Sequence, residues 1–157
     1  MLPPVKVHVP RRTSGKLKLP APYRPRIEQG EEAELLEGTV QGMKASKGEE
    51  RFARALSKIT AVDGFQFRYA VGAPKGLPGW KELDFVVVKG GTLYAIEVDT
   101  AFTHRDKKAS DTLHDAIILK ELAKLGMQLH PIVIHLDGES DLADQSKANQ
   151  TAKRLFQ

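Results

Sequence analysis

The sequence predicts an α/β domain in which helices flank a mixed sheet, preceded by an extended arm. Residues 83–88 and 93–98 are two strongly apolar segments separated by Gly90-Gly91, which is typical of a tight hairpin of two strands. Residues 107–125 have the spacing of an amphipathic helix, and an apolar strand follows at 129–136. A strand that follows a helix after a hairpin favours a sheet with both parallel and antiparallel pairs.

The arm is predicted from proline and charge. Residues 1–45 form this Pro-rich, basic, extended segment, and residues 46–157 form the folded domain. The first 30 residues contain six prolines, which disfavour helix and central strand, and seven Lys or Arg against one acid. They carry +6 within a net charge of +4, so the remainder sums to −2. This imbalance favours DNA, or an acidic surface on a protein assembly, as a partner, although a solvated tail fits the same composition.

The first half of the domain is predicted to contain one helix and three strands. Residues 31–37 are expected to make a short helical turn before Gly38 and Gly42. Ser46 and Glu49 then have the spacing of a capping box that opens a helix. Its apolar face consists of Phe52, Leu56 and Ile59. Asp63-Gly64 is a turn signal, and alternating aromatic residues predict a half-buried strand at 65–69. A loop rich in Gly and Pro at 72–79 leads into the two strands of the hairpin.

Two helices and one strand complete the predicted order. The helix at 107–125 is expected to end at Gly126. Its apolar face is predicted to be Leu113, Ile117, Leu119, Leu122 and Leu125. After the strand at 129–136, residues 140–156 are expected to form a covering helix with Leu142, Ala148, Ala152 and Leu155 inward. The order is therefore helix, three strands, helix, strand, helix.

The composition excludes several classes of protein. The 157 residues include no cysteine, which excludes disulfides, zinc knuckles and thiol catalysis. No apolar run approaches the roughly 20 residues that span a bilayer, and the N-terminus lacks an apolar signal core. We therefore expect one soluble, cytoplasmic domain.

Three carboxylates are predicted to meet at one end of the sheet. Asp84 stands directly before the apolar residues 85–88, while Glu97 and Asp99 end the neighbouring strand and share one face. A hairpin that turns at Gly90-Gly91 pairs residues whose numbers sum to about 181, which sets Asp84 almost opposite Glu97. Clustered carboxylates repel unless a cation lies between them, and hard oxygen ligands favour Mg²⁺, or Mn²⁺, over zinc. Polar strand ends that simply meet solvent are the alternative.

These motifs resemble the PD-(D/E)XK nuclease superfamily, and most closely the group related to very-short-patch-repair endonucleases. The resemblance rests on a helix with a glutamate, then residues 82–86 (ELDFV), then residues 94–99 (YAIEVD). It covers about residues 46–136. It implies a restriction-endonuclease-like core and a metal-dependent endonuclease that hydrolyses DNA phosphodiester bonds. Asp84, Glu97 and Asp99 would be both metal ligands and catalytic residues.

The resemblance also assigns residues outside the two strands. Glu49 matches the helix glutamate of the superfamily, with Glu50 as the neighbouring candidate. The group's later pattern falls on Asp99, His104, Asp111, His114 and Asp115. His104 is placed where it could accept a proton from water or hold the scissile phosphate. The lysine of the superfamily's Glu-X-Lys is Asp99 here, and Lys107 and Lys108 are the candidates to replace it.

Basic residues near the predicted site are candidates for binding the nucleic-acid backbone. Together with the arm they are Arg11, Arg12, Lys16, Lys18, Lys75, Lys81, Lys107 and Lys108. Trp80 could stack on a base or cover the edge of the core. Two alternatives to an enzyme are compatible with the sequence. One is a nuclease-fold DNA-binding or structural component, without catalysis, that docks through its arm, and the other is an adaptor unrelated to nucleases.

Overall fold

The computed structural model describes residues 36–73, 77–99 and 108–157, the first four residues of the last range by their backbone alone. The helices are α1 (Lys47–Ser57), α2 (Lys108–Ala123) and α3 (Gln145–Phe156). The strands are β1 (Thr39–Val40), β2 (Met43–Lys44), β3 (Val62–Gly72), β4 (Trp80–Lys89), β5 (Thr92–Asp99), β6 (Gln128–Leu129) and β7 (Ile134–Asp137). Within these ranges, no helix is long and apolar enough to cross a membrane.

The main sheet has the mixed pairing that the sequence predicts, with five strands instead of the four predicted. β3, β4 and β5 pair antiparallel in chain order, and β6 and β7 both pair parallel to β5. The single strand predicted at 129–136 is wrong, because it is two short strands separated by a loop. Pro131 lies in that loop and has no N–H to donate to a ladder. The coarse α/β class is confirmed.

The hairpin between β4 and β5 has the predicted register. Phe85 pairs with Ile96, so paired numbers sum to 181, and Gly90 and Gly91 turn the chain with φ of 58° and 81°. The turn predicted at Asp63-Gly64 is instead an irregularity inside β3, where the register shifts between Val62 and Gly64. Asp63 Oδ2 accepts a hydrogen bond from the N–H of Gly90 at 2.9 Å. The Asp63 carboxylate therefore holds the hairpin turn rather than starting a turn of its own.

Helix α1 begins as predicted. Ser46 is its N-cap, and both hydrogen bonds of the capping box with Glu49 are present. Helices α1 and α3 cover one face of the sheet, and the buried aromatic residues of this layer are Phe52, Phe65, Phe67, Phe85 and Phe156. The ring centroids of Phe52 and Phe85 lie 5.1 Å apart in an edge-to-face arrangement. Helix α2 packs on the opposite face, over Val86, Val88, Leu93 and Ala95.

The apolar face of α2 differs from the prediction. Ile118 is fully buried with Leu122 and Leu125, whereas Leu113 is 65% exposed. Residues 118, 122 and 125 follow helical spacing, so the helix packs through its C-terminal half. Gly126, with a φ of 79°, follows the end of the helix as predicted.

A small hairpin of β1 and β2 precedes α1 and lies within the range assigned to the arm. Val40 is fully buried in the layer beneath α1 and α3. The side chain of Gln41 bonds Phe65 O and Phe67 N of β3 at 3.0 and 2.9 Å. Ordered packing thus includes residues before Ser46. Residues 36 and 37 are not helical, and the rest of the predicted turn at 31–37 lies outside the described residues.

Candidate functional site

Asp84 lies within β4, at an opening where pairing with β5 ends and pairing with β3 is interrupted at one residue. The ladder to β5 runs as far as Phe85 and Ile96, and beyond it Asp84 Oδ2 accepts a hydrogen bond from the N–H of Val98 at 2.8 Å. The ladder to β3 is interrupted where Arg68 faces Asp84, and Arg68 has a left-handed φ of 60°. Such a backbone is costly for a residue with a side chain and often marks a functional position. The Asp84 carboxylate therefore accepts the hydrogen bond of Val98 N–H in place of a backbone carbonyl of β4.

Glu97 lies beside Asp84 at the end of β5. Burial first, and then the negative charges of Asp84, Asp99 and Asp115, together raise the pKa of Glu97 from its ordinary value of 4.5 to about 9. Burial also raises the pKa of Asp84, from 3.8 to about 6, against the lowering effect of hydrogen bonds from Val98 N–H and Glu97. Glu97 Oε2 is buried and has no hydrogen-bond partner among the described residues. A proton, or a cation, is needed to make this arrangement favourable.

His135 of β7 joins two further carboxylates of the cluster. Its Nδ1 lies 2.9 Å from Asp99 Oδ2 and its Nε2 lies 2.7 Å from Asp115 Oδ2. We call this the Asp99–His135–Asp115 bridge. Burial lowers the pKa of His135, but the hydrogen bonds and charges of Asp115 and Asp99 outweigh it, so the pKa is raised. The bridge connects β5, β7 and α2, and parallel pairing sets His135 beside Glu97.

The structure brings together several of the residues predicted from the sequence. The charges of Asp84, Asp99 and Asp115 all act on Glu97, so these four carboxylates lie near one another, with Asp84 inside β4 rather than at the end of the sheet. The charge of Glu49 acts on Asp84 from α1 while its side chain also completes the capping box. Glu50, the neighbouring candidate, is directed elsewhere. It is fully buried and accepts hydrogen bonds from Glu37 N, Gly38 N and Arg54 Nη2.

The other predicted residues are only partly described. Lys81 is half-buried in β4 opposite Val71, and Trp80 is half-buried at the start of that strand. His114 is half-buried next to Asp115. The following predicted residues, or their side chains, lie outside the described part: Arg11, Arg12, Lys16, Lys18, Lys75, His104, Lys107, Lys108 and Asp111.

Sequence reasoning missed His135 and Arg68. His135 alternates with buried apolar residues in a predicted strand, which placed it on a sheet face but gave it no neighbour. Its neighbours depend on the parallel register with β5, which no local pattern encodes. Arg68 lies inside a regular alternation of aromatic residues that gives no sign of a left-handed residue.

The described side chains do not form a complete metal cage. No group of three or more His, Asp or Glu in this part of the chain is arranged to hold one ion. Asp99 and Asp115 each direct one oxygen to His135. Asp84 and Glu97 are left as the pair that face each other.

No family model matches the chain, and no curated protein or solved structure matches it either. The fold and the site therefore carry the functional argument. The fold is a mixed sheet between helices, and the site is a half-buried carboxylate pair where the pairing of β4 with β5 ends.

Proposed function

We propose that this chain is a metal-dependent endonuclease that hydrolyses DNA phosphodiester bonds. The observation that carries the proposal is the Asp84–Glu97 pair, in which a buried Glu97 oxygen has no partner among the described residues. Two adjacent carboxylates in a partly desolvated opening are an unfavourable arrangement for the protein alone. Such a pair is favourable when it binds a cation, so we infer that its role is to bind one.

The residues present fit a hard divalent cation. Asp84 and Glu97 supply oxygen donors and negative charge, which suit Mg²⁺ or Mn²⁺ better than softer metals. When bound, such an ion would polarise a phosphate and lower the pKa of an attacking water. The protein contributes an oriented Asp84, fixed by Val98 N–H, and a burial that strengthens electrostatic interactions. Asp99 is close but engaged with His135.

A restriction-endonuclease-like core is part of this proposal. The order of helix, three antiparallel strands, helix and parallel strand supports it, as does the position of the carboxylates, with Asp84 within β4 and Glu97 near the end of β5. Under this proposal, Lys81 and the basic residues of the arm contact the DNA backbone, and His104 acts near the scissile phosphate. These roles follow from the residue types and from the resemblance of residues 46–136.

The test is cleavage by the full chain of supercoiled, linear and branched DNA, with and without Mg²⁺ or Mn²⁺. Asp84→Asn and Glu97→Gln should each reduce the rate by roughly 100- to 1,000-fold, the usual cost of removing one electrostatic stabiliser. Asp63→Asn is the matched control, because it removes a carboxylate from the same sheet at the Gly90 turn. Its rate should stay near that of the unmodified chain. A chain that cuts none of these substrates with either ion contradicts the proposal.

The second candidate is a nuclease-fold component that binds DNA, or docks into an assembly, without cutting. The observation that favours it is Asp99, an acid where the resemblance implies lysine, whose carboxylate is held by His135. The two candidates differ in turnover. DNA binding with no metal-dependent cleavage of any substrate favours the second candidate.

A further inference from the structure

The Asp99–His135–Asp115 bridge divides the acidic cluster into two parts. Alternation along β5 sets Glu97 and Asp99 on the same face, so both could reach one ion by strand geometry alone. Asp99 Oδ2 is nevertheless directed to His135 Nδ1 at 2.9 Å. On the other side of the imidazole, Asp115 Oδ2 lies 2.7 Å from Nε2. His135 therefore holds one carboxylate on each ring nitrogen.

Both contacts have the geometry of charge-assisted hydrogen bonds. A carboxylate accepts hydrogen bonds, and a neutral imidazole has only one N–H to donate. Two short contacts to two carboxylates are satisfied when both ring nitrogens donate, which makes His135 a cation between two anions. The side chain of His135 is 31% exposed, and those of Asp99 and Asp115 are 20% and 21% exposed. The three groups are thus partly shielded from solvent, and the bridge is stronger than a fully exposed ion pair.

The backbone fixes the bridge next to the metal-binding pair of the proposed function. Glu97 pairs with His135 across the parallel ladder, and Asp99 pairs with Asp137. Gly138 N donates to Asp99 O at 2.7 Å, which holds the end of β5 against the turn after β7. A Cβ at position 138 would lie 3.2 Å from that same oxygen, so the two segments approach closely. Movement of Asp99 toward Glu97 therefore requires breaking its bond to His135 rather than moving the strands.

We propose that His135 is a positioning residue that keeps Asp99 out of the ligand set, so that Asp84 and Glu97 alone bind the divalent cation. This inference rests on the proposed function and specifies its site further. With two carboxylate ligands instead of three, more coordination positions remain for water and phosphate oxygens. The cationic imidazole also offsets the repulsion among four neighbouring carboxylates.

The experiment uses the full chain and measures two quantities, the affinity for Mn²⁺ and the rate of DNA cleavage. His135→Gln loses the donor to Asp99 and releases that carboxylate, so Mn²⁺ should bind roughly threefold to tenfold more tightly. The same variant should lose roughly tenfold or more in kcat, with KM for DNA little changed, because the ion gains an unproductive ligand. If His135 had a merely structural role, its loss would not make Mn²⁺ bind more tightly while DNA cleavage became slower.

Asp99→Asn separates ligand release from other effects. In the unmodified chain it should change Mn²⁺ affinity by less than about threefold at high ionic strength, where charges that do not touch the ion are screened. Added to His135→Gln, it should reverse the gain in affinity. His135→Asn keeps an amide donor near the position of Nδ1, so it should retain Asp99 and bind Mn²⁺ like the unmodified chain. His130→Gln is the matched control, since His130 stacks on Tyr94 away from the carboxylates.

The outcomes distinguish this inference from the proposed function. If His135→Gln binds Mn²⁺ and cuts DNA like the unmodified chain while Asp84→Asn does neither, the positioning role is wrong and the nuclease site stands. If Asp99→Asn alone loses tenfold or more in Mn²⁺ affinity, Asp99 is a ligand and the inference is overturned. The Mn²⁺ affinity of Asp99→Asn also tests the inference if His135→Gln fails to fold. An unmodified chain with no Mn²⁺ binding and no cleavage overturns both the function and the inference.

Discussion

Asp84 and Glu97 show how burial and neighbouring charge act together on single residues. The pKa of Glu97 is raised to about 9 and that of Asp84 to about 6, in each case first by burial. Because the negative charge of each carboxylate disfavours ionisation of the other, the two groups release their protons in linked steps. The folded chain therefore retains a proton in the pH range where the unfolded chain has released it. Under the proposed function, a divalent cation would compete with this proton for the same oxygens.

Removal of the Glu97 carboxyl should reduce the pH dependence of stability. The ordinary pKa of Glu97 is 4.5 and its folded value is about 9, so the folded state binds more protons between these values. The free energy of unfolding should be highest below this window and fall as the pH rises through it, by at most about 1.4 kcal/mol per pH unit. Glu97→Gln should abolish most of this slope in metal-free chemical denaturation. Asp63→Asn should keep it, and parallel slopes for both variants would contradict the assignment.

The stabilisation by metal should grow with pH for the same reason. At low pH the pair holds its proton and competes with the ion, whereas near pH 9 the proton is released. At an ion concentration of about 100 times Kd, binding adds roughly 2.7 kcal/mol to the free energy of unfolding. Thermal melting with Mg²⁺ or Mn²⁺ at several pH values measures this effect. A shift of the melting temperature that is absent at every pH, or equal in Glu97→Gln, would count against a metal site here.

At the scale of elements, local sequence patterns predicted the structure correctly where that structure depends on residues close together in the chain. The capping box at Ser46 and the register of the Gly90-Gly91 hairpin are both as predicted, because a cap and a two-residue turn are fixed by a few adjacent residues. Within the site, the spacing of residues predicted contacts only for the carboxylates of that hairpin, whereas Glu49 and Asp115 were assigned by resemblance and His135 was not predicted. His135 reaches the site because β7, which follows α2 in the chain, pairs parallel with β5. Leu113 is 65% exposed although it fits the apolar spacing of the helix. Contacts of this kind depend on how distant segments pack, so no local sequence pattern predicts them.

Glu50 supports a prediction about how α1 is attached to the rest of the domain. Its buried carboxylate accepts hydrogen bonds from the N–H groups of Glu37 and Gly38, just before β1. It also pairs with buried Arg54 at 3.0 Å. Glu50→Ala leaves Arg54 buried without this partner and should cost roughly 3–5 kcal/mol in the free energy of unfolding. Chemical denaturation at neutral pH measures it.

The control for Glu50 is an ion pair at the C-terminal end of α2 whose lysine is exposed. Glu121 and Lys124 lie three residues apart in sequence, and the side chain of Lys124 is 60% exposed. Glu121→Ala should therefore cost less than about 1 kcal/mol. Equal losses in the two variants would mean that the buried carboxylate has no special role. Glu50→Ala should leave the Mn²⁺ affinity of the folded fraction unchanged, because Glu50 bonds Arg54 and the backbone before β1 rather than Asp84.

At the scale of the whole molecule, positive and negative charge are separated along the chain. Residues 1–30 carry +6, whereas the rest of the chain sums to −2 and contains the carboxylate cluster. An acidic site alone repels a phosphate backbone, so a nuclease of this kind needs basic residues elsewhere to bind its substrate. The proposed function assigns this role to the arm and to lysines such as Lys81. Binding and chemistry should then be separable by variants in different parts of the chain.

Deleting residues 1–30 should weaken DNA binding without affecting the metal site, since the deletion ends before the described fold begins at residue 36. For every phosphate that the arm no longer neutralises, the slope of log affinity against log salt concentration should fall by about 0.9 on duplex DNA. Asp84→Ala should do the reverse. It should abolish cleavage and leave DNA binding unchanged or tighter, because a negative charge that faces phosphate has been removed. Fluorescence anisotropy of labelled duplex over a series of salt concentrations, beside Mn²⁺ titrations, measures both. An unchanged salt slope after the deletion would show that the arm does not bind DNA, and an acidic protein surface would then become its partner.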